Sequence, residues 1–212
     1  MSFEDVARRL EGDPALGLFA EYCRMKGLGL RRQALLIIDD LVSQLEADPD
    51  ATTRFEAVHR LFELENEADI HNLLPHPLVT KVMRPTCEAK ILLDAHDPRP
   101  YRWLGFQDNW RKALELDPSD AIARSRWSSA CWRDLDYALH ELPLGVLSSV
   151  SNIAENVMIL DQLSKGTGGS TIWPESWLRR LAMSYLDYAR SGERISFKQW
   201  AARHDRPSSV GD

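Results

Sequence analysis

Hydrophobic positions recur at three- and four-residue spacing along most of this chain, the period of amphipathic helices. Ser2 with Asp5 three residues on marks a first helix start, and Gly12 its end. Asp13 and Pro14 open a second helix, which runs to about Lys26 and stops at Gly27-Leu28-Gly29. Over 31–47 the pattern turns Ala34, Leu35, Ile38, Leu41, Val42 and Leu45 inward, until Asp48-Pro49-Asp50 ends the helix. A helix over 51–68 follows, with Phe55, Val58, Leu61 and Phe62 inside. Three prolines (Pro75, Pro77 and Pro85) interrupt the next stretch. They predict a loop, a short helix over 78–83 and a restart at Thr86 that carries Cys87, Ile91 and Leu92 inward up to Ala95. Asp97-Pro98-Arg99-Pro100 reads as a further break.

The clearest helix hairpin spans Tyr101 to Pro143, with its turn at Asp117-Pro118-Ser119-Asp120. One arm buries Trp103, Phe106, Trp110, Ala113 and Leu114; the other buries Ile122, Trp127, Ala130, Cys131, Leu135, Ala138 and Leu139. A helix over 145–164 follows, through Leu147, Val150, Ala154, Val157 and Met158. Lys165 to Ser170 is glycine-rich and predicts a linker. Pro174 then opens a helix bearing Trp177, Leu178, Leu181, Tyr185 and Tyr188, closed by Gly192, and a short helix covers Ser196 to His204. No segment alternates with period two between turn residues. The expected fold is all-α, with roughly nine helices in antiparallel hairpins, arranged as a helical-repeat array or an irregular helical bundle.

Leu45-Glu-Ala-Asp-Pro-Asp-Ala51 resembles Leu114-Glu-Leu-Asp-Pro-Ser-Asp-Ala121, with one inserted residue, so a helix–turn–helix unit is echoed once. Trp110, Ala113 and the run to Pro118 resemble the second half of a tetratricopeptide repeat, over about 101–121 only. Trp103-Leu104-Gly105 departs from that family's spacing, and Trp127 and Ser128 stand where its next Leu and Gly belong. The resemblance implies hairpin packing and, by analogy, a protein-binding role.

Composition sharpens this only in part. A chain of 212 residues can form a single domain, expected over 1–204 with a disordered tail at 205–212. An acidic half, 1–97, carries 11 Lys/Arg against 18 Asp/Glu, and a near-neutral half, 98–204, follows; all seven tryptophans lie after residue 100. The net charge of -6 argues against a nucleic-acid footprint. No apolar run reaches the ~18 residues of a membrane span, and the N-terminus has no secretory pattern. Cys23, Cys87 and Cys131 are odd in number and sit at apolar helix positions, the usage of a cytoplasmic protein.

Candidate chemistry is sparse, and no cofactor is implied. His96-Asp97 resembles the paired ligands of metal-dependent phosphohydrolases of the HD type, with His71 and Asp161 in a compatible order, and Asp69, His71 and His76 offer a second grouping. The alternative to a binding protein is therefore a hydrolase using histidines in 59–97, with His71, His76, His96 and Asp97 as metal ligands. Lys165-Gly-Thr-Gly-Gly-Ser170 lacks the strand and the Lys-Ser/Thr of a phosphate loop, yet Gly166, Gly168 and Gly169 could wrap a ligand. The Ser196–His204 helix resembles the first helix of a helix-turn-helix, but too little chain follows for a recognition helix. The acidic row Glu56, Glu63, Glu65, Glu67 and Asp69 could receive a basic partner, with Glu63 and Glu67 as contacts and Trp132 and Tyr137 as aromatic anchors. The expected function is a non-catalytic protein-interaction module, an acidic adaptor, inhibitor or immunity-type protein.

Overall fold

The computed structural model describes residues 1–68, 70–165, 173 and 176–209. Among these residues the chain is all-α, with eleven helices and no strand. They fall into two compact units, 1–118 and 119–212. The division lies inside the expected hairpin turn, so the two arms of that hairpin belong to different units. It also lies well beyond Pro98 and Pro100, where the composition changes.

Unit 1 holds α1 (Phe3–Arg9), α2 (Gly17–Gly27), α3 (Arg31–Ala47), α4 (Ala51–Ala68), α5 (76–93), α6 (Pro98–Leu104) and α7 (Gln107–Leu116). Ser2 and Asp5 form a reciprocal capping box at α1, satisfying two otherwise orphaned backbone donors. The Asp13 carboxylate accepts from the amides of Ala15 and Leu16 and organises the turn into α2. Gly29 ends that segment at φ 77°, which a Cβ would disfavour. α2 packs on both α1 and α3; α5 packs on α3, α4 and α6. The core gathers Phe19, Tyr22, Ile38, Leu41, Phe55, Leu61, Leu78 and Met83.

Segmentation differs from expectation in two places. Residues 76–93 form one continuous helix, in which His76–Leu78 leads through a π-helical stretch, Val79–Met83, into Arg84–Leu93. The Arg84 amide donates to the Val79 carbonyl, five residues back. The wider turn sits immediately before Pro85, which has no amide to donate, so the helix continues where proline was expected to break it. Conversely, 98–116 is two helices. Asp97 caps α6 through the Arg99 amide, and Pro98 and Pro100 fill first-turn positions where an amide is dispensable. Gly105 and Phe106 then take φ 74° and 67° and end it.

Burial also corrects the expected stripes. Leu35, Leu92, Phe106, Leu147 and Met158, all placed inside by spacing, are exposed, Leu92 at 88%.

Unit 2 holds α8 (Ala121–Leu139), α9 (Val150–Lys165), α10 (Trp177–Ser191) and α11 (Phe197–Arg203). Asp120 caps α8, Ser176 caps α10, and Ser196 with Gln199 forms a capping box on α11. α8, α9 and α10 pack mutually around Leu135, Ile153, Leu160, Leu178 and Leu181, and α11 packs on α10. The Ser184 hydroxyl, fully buried, donates to the Pro207 carbonyl, and Arg206 pairs with Asp187, so residues 205–209 of the expected tail lie against the unit. Gly166, Gly168, Gly169, Pro174 and Asp69 lie outside the described residues.

Charge divides as the fold does. Residues 1–118 carry 15 Lys/Arg against 21 Asp/Glu, and residues 119–212 carry 11 against 11, so the whole net charge of -6 belongs to unit 1. No helix among the described residues is long and apolar enough to cross a membrane.

Candidate functional site

A dense polar grouping lies in unit 1, where α4 meets α5 and α6. Phe55, His59 and Phe62 share one stripe of α4, spaced four and three residues apart; His59 and Phe62 face Trp103 of α6, and Phe55 lies against His59. The Trp103 indole N–H donates to His59 Nδ1 at 2.8 Å. Nδ1 therefore accepts, which leaves the ring proton on Nε2, 3.3 Å from the Glu63 carboxylate. Phe55 stacks flat beside the imidazole (5° between planes), and Phe62 stacks on Trp103 at 5.1 Å between centroids. Burial holds the His59 pKa below its ordinary 6.5; Arg99 and Arg102 push the same way, and Glu63 and Glu56 oppose them.

Beside this lies an ion network. Arg99 binds both oxygens of the buried Asp97 and both of Glu56, and Lys90 approaches Asp97 at 3.6 Å. Arg99 and Lys90 also stand over the Phe55 ring, at 5.1 and 5.7 Å from its centroid. Burial alone would raise the Asp97 carboxyl, but the Arg99 hydrogen bonds and charge, with Lys90, outweigh it and hold the pKa below 3.8.

Chemically this grouping is closed. A general base needs a lone pair within reach of a substrate proton. The lone pair of His59 is occupied by Trp103, and its proton is directed at Glu63. Asp97 has both oxygens on Arg99. The cluster fastens three helices.

The residues singled out in the sequence scatter. Glu63 pairs with His59, Glu67 with Arg9 and Glu56 with Arg99, and Glu65 is engaged as well, so the acidic row of α4 is met largely by the unit's own groups. His71, His76 and His96 are exposed at separate points, and Asp97 caps α6. Among the described residues no three His, Cys, Asp or Glu side chains are grouped to hold a metal ion. In unit 2, Asp161 accepts from Trp173 and pairs with Arg179. Trp132 is half-buried, edge-on to Trp173 at 5.6 Å, while Tyr137 stands 63% exposed beside His140.

A groove of about 680 Å³ runs between α1 and α2, over Phe3, Ala7, Cys23 and Leu28. Its charged rim is self-paired, Arg8 with Glu4 and Asp5 and Arg24 with Glu11. The three cysteines are free and buried, and burial pushes each thiol up to about 12.

What spacing missed was an apolar patch in unit 2. The Leu147 amide donates to the Ala138 carbonyl at 3.0 Å and folds the 140–149 turn back on the end of α8. This turn and its flanks expose Tyr137, Leu144 (92%), Leu147 and Val150. Spacing places Leu147 and Val150 in a helix over 145–164, but that helix begins only at Val150 and both side chains are exposed.

No known protein family matches the chain, and no curated protein or solved structure matches it.

Proposed function

We propose that this chain is a non-catalytic protein-binding module, whose partner is a basic protein met by an adaptor or inhibitor of opposite charge. The observation that carries the reading is the exposure of Tyr137, Leu144, Leu147 and Val150, four large apolar side chains in and beside one turn of unit 2. Exposed apolar clusters rimmed by polar groups mark association surfaces. The surplus of carboxylates in unit 1 supplies the electrostatic part, which raises association rates and selects cationic partners. The helical hairpins of each unit are the kind of scaffold that presents such turns, in keeping with the tetratricopeptide resemblance.

The test is photo-crosslinking in the native host, with the reactive residue at position 137 or 144. A crosslinked protein of high pI, lost with Leu144→Asp and weakened steeply by salt, is the expected result. A purified protein carrying stoichiometric metal lost on His96→Ala, with no crosslinked partner, would overturn the reading in favour of a metal-dependent hydrolase.

A further inference from the structure

The solvent face of α3 is self-complementary. Its buried stripe is Ala34, Ile38, Leu41, Val42 and Leu45. At 100° per residue, Arg32, Leu36, Asp40 and Ser43 fall on the opposite side, and all four are exposed. Leu36 is 65% exposed, and Leu35 flanks it at 52%. Neither Arg32 nor Asp40 makes an ion pair among the described residues, and the same holds for Asp39. An apolar centre is thus bracketed one turn away by an unpaired cation on one side and an unpaired anion on the other.

We propose that this face pairs with the same face of a second copy of the chain, antiparallel, about a two-fold axis at Leu36. A two-fold interface sets residue i against j and j against i. With the axis at Leu36, Leu36 meets its own copy, and helices crossed so that the 32–36–40 rows run parallel set Arg32 against Asp40 twice. The stripe ends at the small, exposed Ser43. The pattern selects this occupant over others. A nucleic acid or an anionic membrane would be repelled by Asp39 and Asp40, and a purely basic helix would leave Arg32 opposed to like charge. One helix pair with the flanking Leu28 and Leu30 buries less than the ~1,000 Å² of a permanent interface, so the dimer is weak and concentration-dependent. The inference stands apart from the unit 2 patch: a failed dimer leaves the protein-binding reading intact, and the reverse holds too.

Two measurements on the full chain test it. Sedimentation equilibrium over a range of concentrations should show a monomer–dimer equilibrium. Leu36→Asp should abolish it. Arg32→Asp or Asp40→Arg alone should weaken it about tenfold or more, because each change is counted twice by the symmetry. The double swap Arg32→Asp with Asp40→Arg should restore it to within about threefold. All these residues are exposed, so helicity by circular dichroism should not change. In the second measurement Leu36→Cys, oxidised with copper phenanthroline, should form an intermolecular disulfide. Glu46→Cys should not, since its copies would stand about 30 Å apart along the paired helices. A monomer at every concentration, a dimer indifferent to Leu36→Asp, a swap that fails to restore, or equal crosslinking at positions 36 and 46 would each overturn the proposal.

Discussion

Replacing Trp103 by Phe removes one hydrogen-bond donor from the centre of unit 1 and keeps an aromatic ring against Phe62. The His59 Nδ1 then has no donor, in a residue only 8% exposed. Leaving a buried acceptor unsatisfied costs about 1–3 kcal/mol. Shrinking an indole to a phenyl in a site only 4% exposed adds about 1 kcal/mol for lost contacts and void, so the total is roughly 2–4 kcal/mol. The pH dependence gives a second readout. His59 titrates below 6.5 in the folded state and near 6.5 unfolded, so its contribution is fully present above 6.5. It is lost as pH falls from 6.5 through the lowered folded value, where the unfolded chain binds the proton first, with a limiting slope of about 1.4 kcal/mol per pH unit. An acceptor role favours the neutral ring, so removing the donor should raise the folded pKa and flatten this slope. The assay is urea denaturation followed by far-ultraviolet circular dichroism at pH 7.5 and 5.5, comparing wild type, Trp103→Phe, His59→Phe and the double variant. A loss under about 0.5 kcal/mol, or an unchanged difference between the two pH values, would refute the assignment of the hydrogen bond and the tautomer.

Other perturbations probe separate parts of the fold. Gly192 closes α10 at φ 68°, and a Cβ there meets nothing within 4 Å, so Gly192→Ala should cost about 1 kcal/mol through backbone strain alone; a neutral result in thermal melts would contradict the left-handed cap. Asp161→Ala takes the acceptor from Trp173 and the partner from Arg179, and should lower stability by about 1–2 kcal/mol, whereas Asp161→Asn, which still accepts one hydrogen bond, should lose about half of that. Cys23, Cys87 and Cys131 should resist iodoacetamide in native buffer at pH 8 and all react in 6 M guanidinium; rapid native labelling of any one would contradict its burial.

The sequence was read most accurately where pattern and punctuation agree. α3 and α4 occupy the expected ranges because a strong apolar stripe ends at Asp48-Pro49-Asp50, which supplies both a stop and a start. Pro85 does not break the helix as expected, because a proline removes one donor only and a π turn just before it absorbs that loss. The break at Gly105 was missed because Trp103, Phe106 and Trp110 keep helical spacing across it. Spacing identifies a stripe but says nothing of what covers it, which is why Leu92 and Phe106 emerge exposed. The His59–Trp103 bond was not legible, because it joins residues 44 apart, and only the apolar neighbours of His59 on α4 hinted at a buried ring. The closure of the Asp97 and Glu56 carboxylates by Arg99 likewise depends on packing that spacing cannot encode.

The partition of charge has a consequence for handling the chain in pieces. Unit 2 balances its 11 cations against 11 anions, and so carries no net electrostatic repulsion between its copies while exposing Leu144 and Tyr137. Cut free at 118/119, it would behave as a sticky, isoelectric fragment near neutral pH. Unit 1, with every surplus carboxylate, serves the intact chain as a built-in solubility tag.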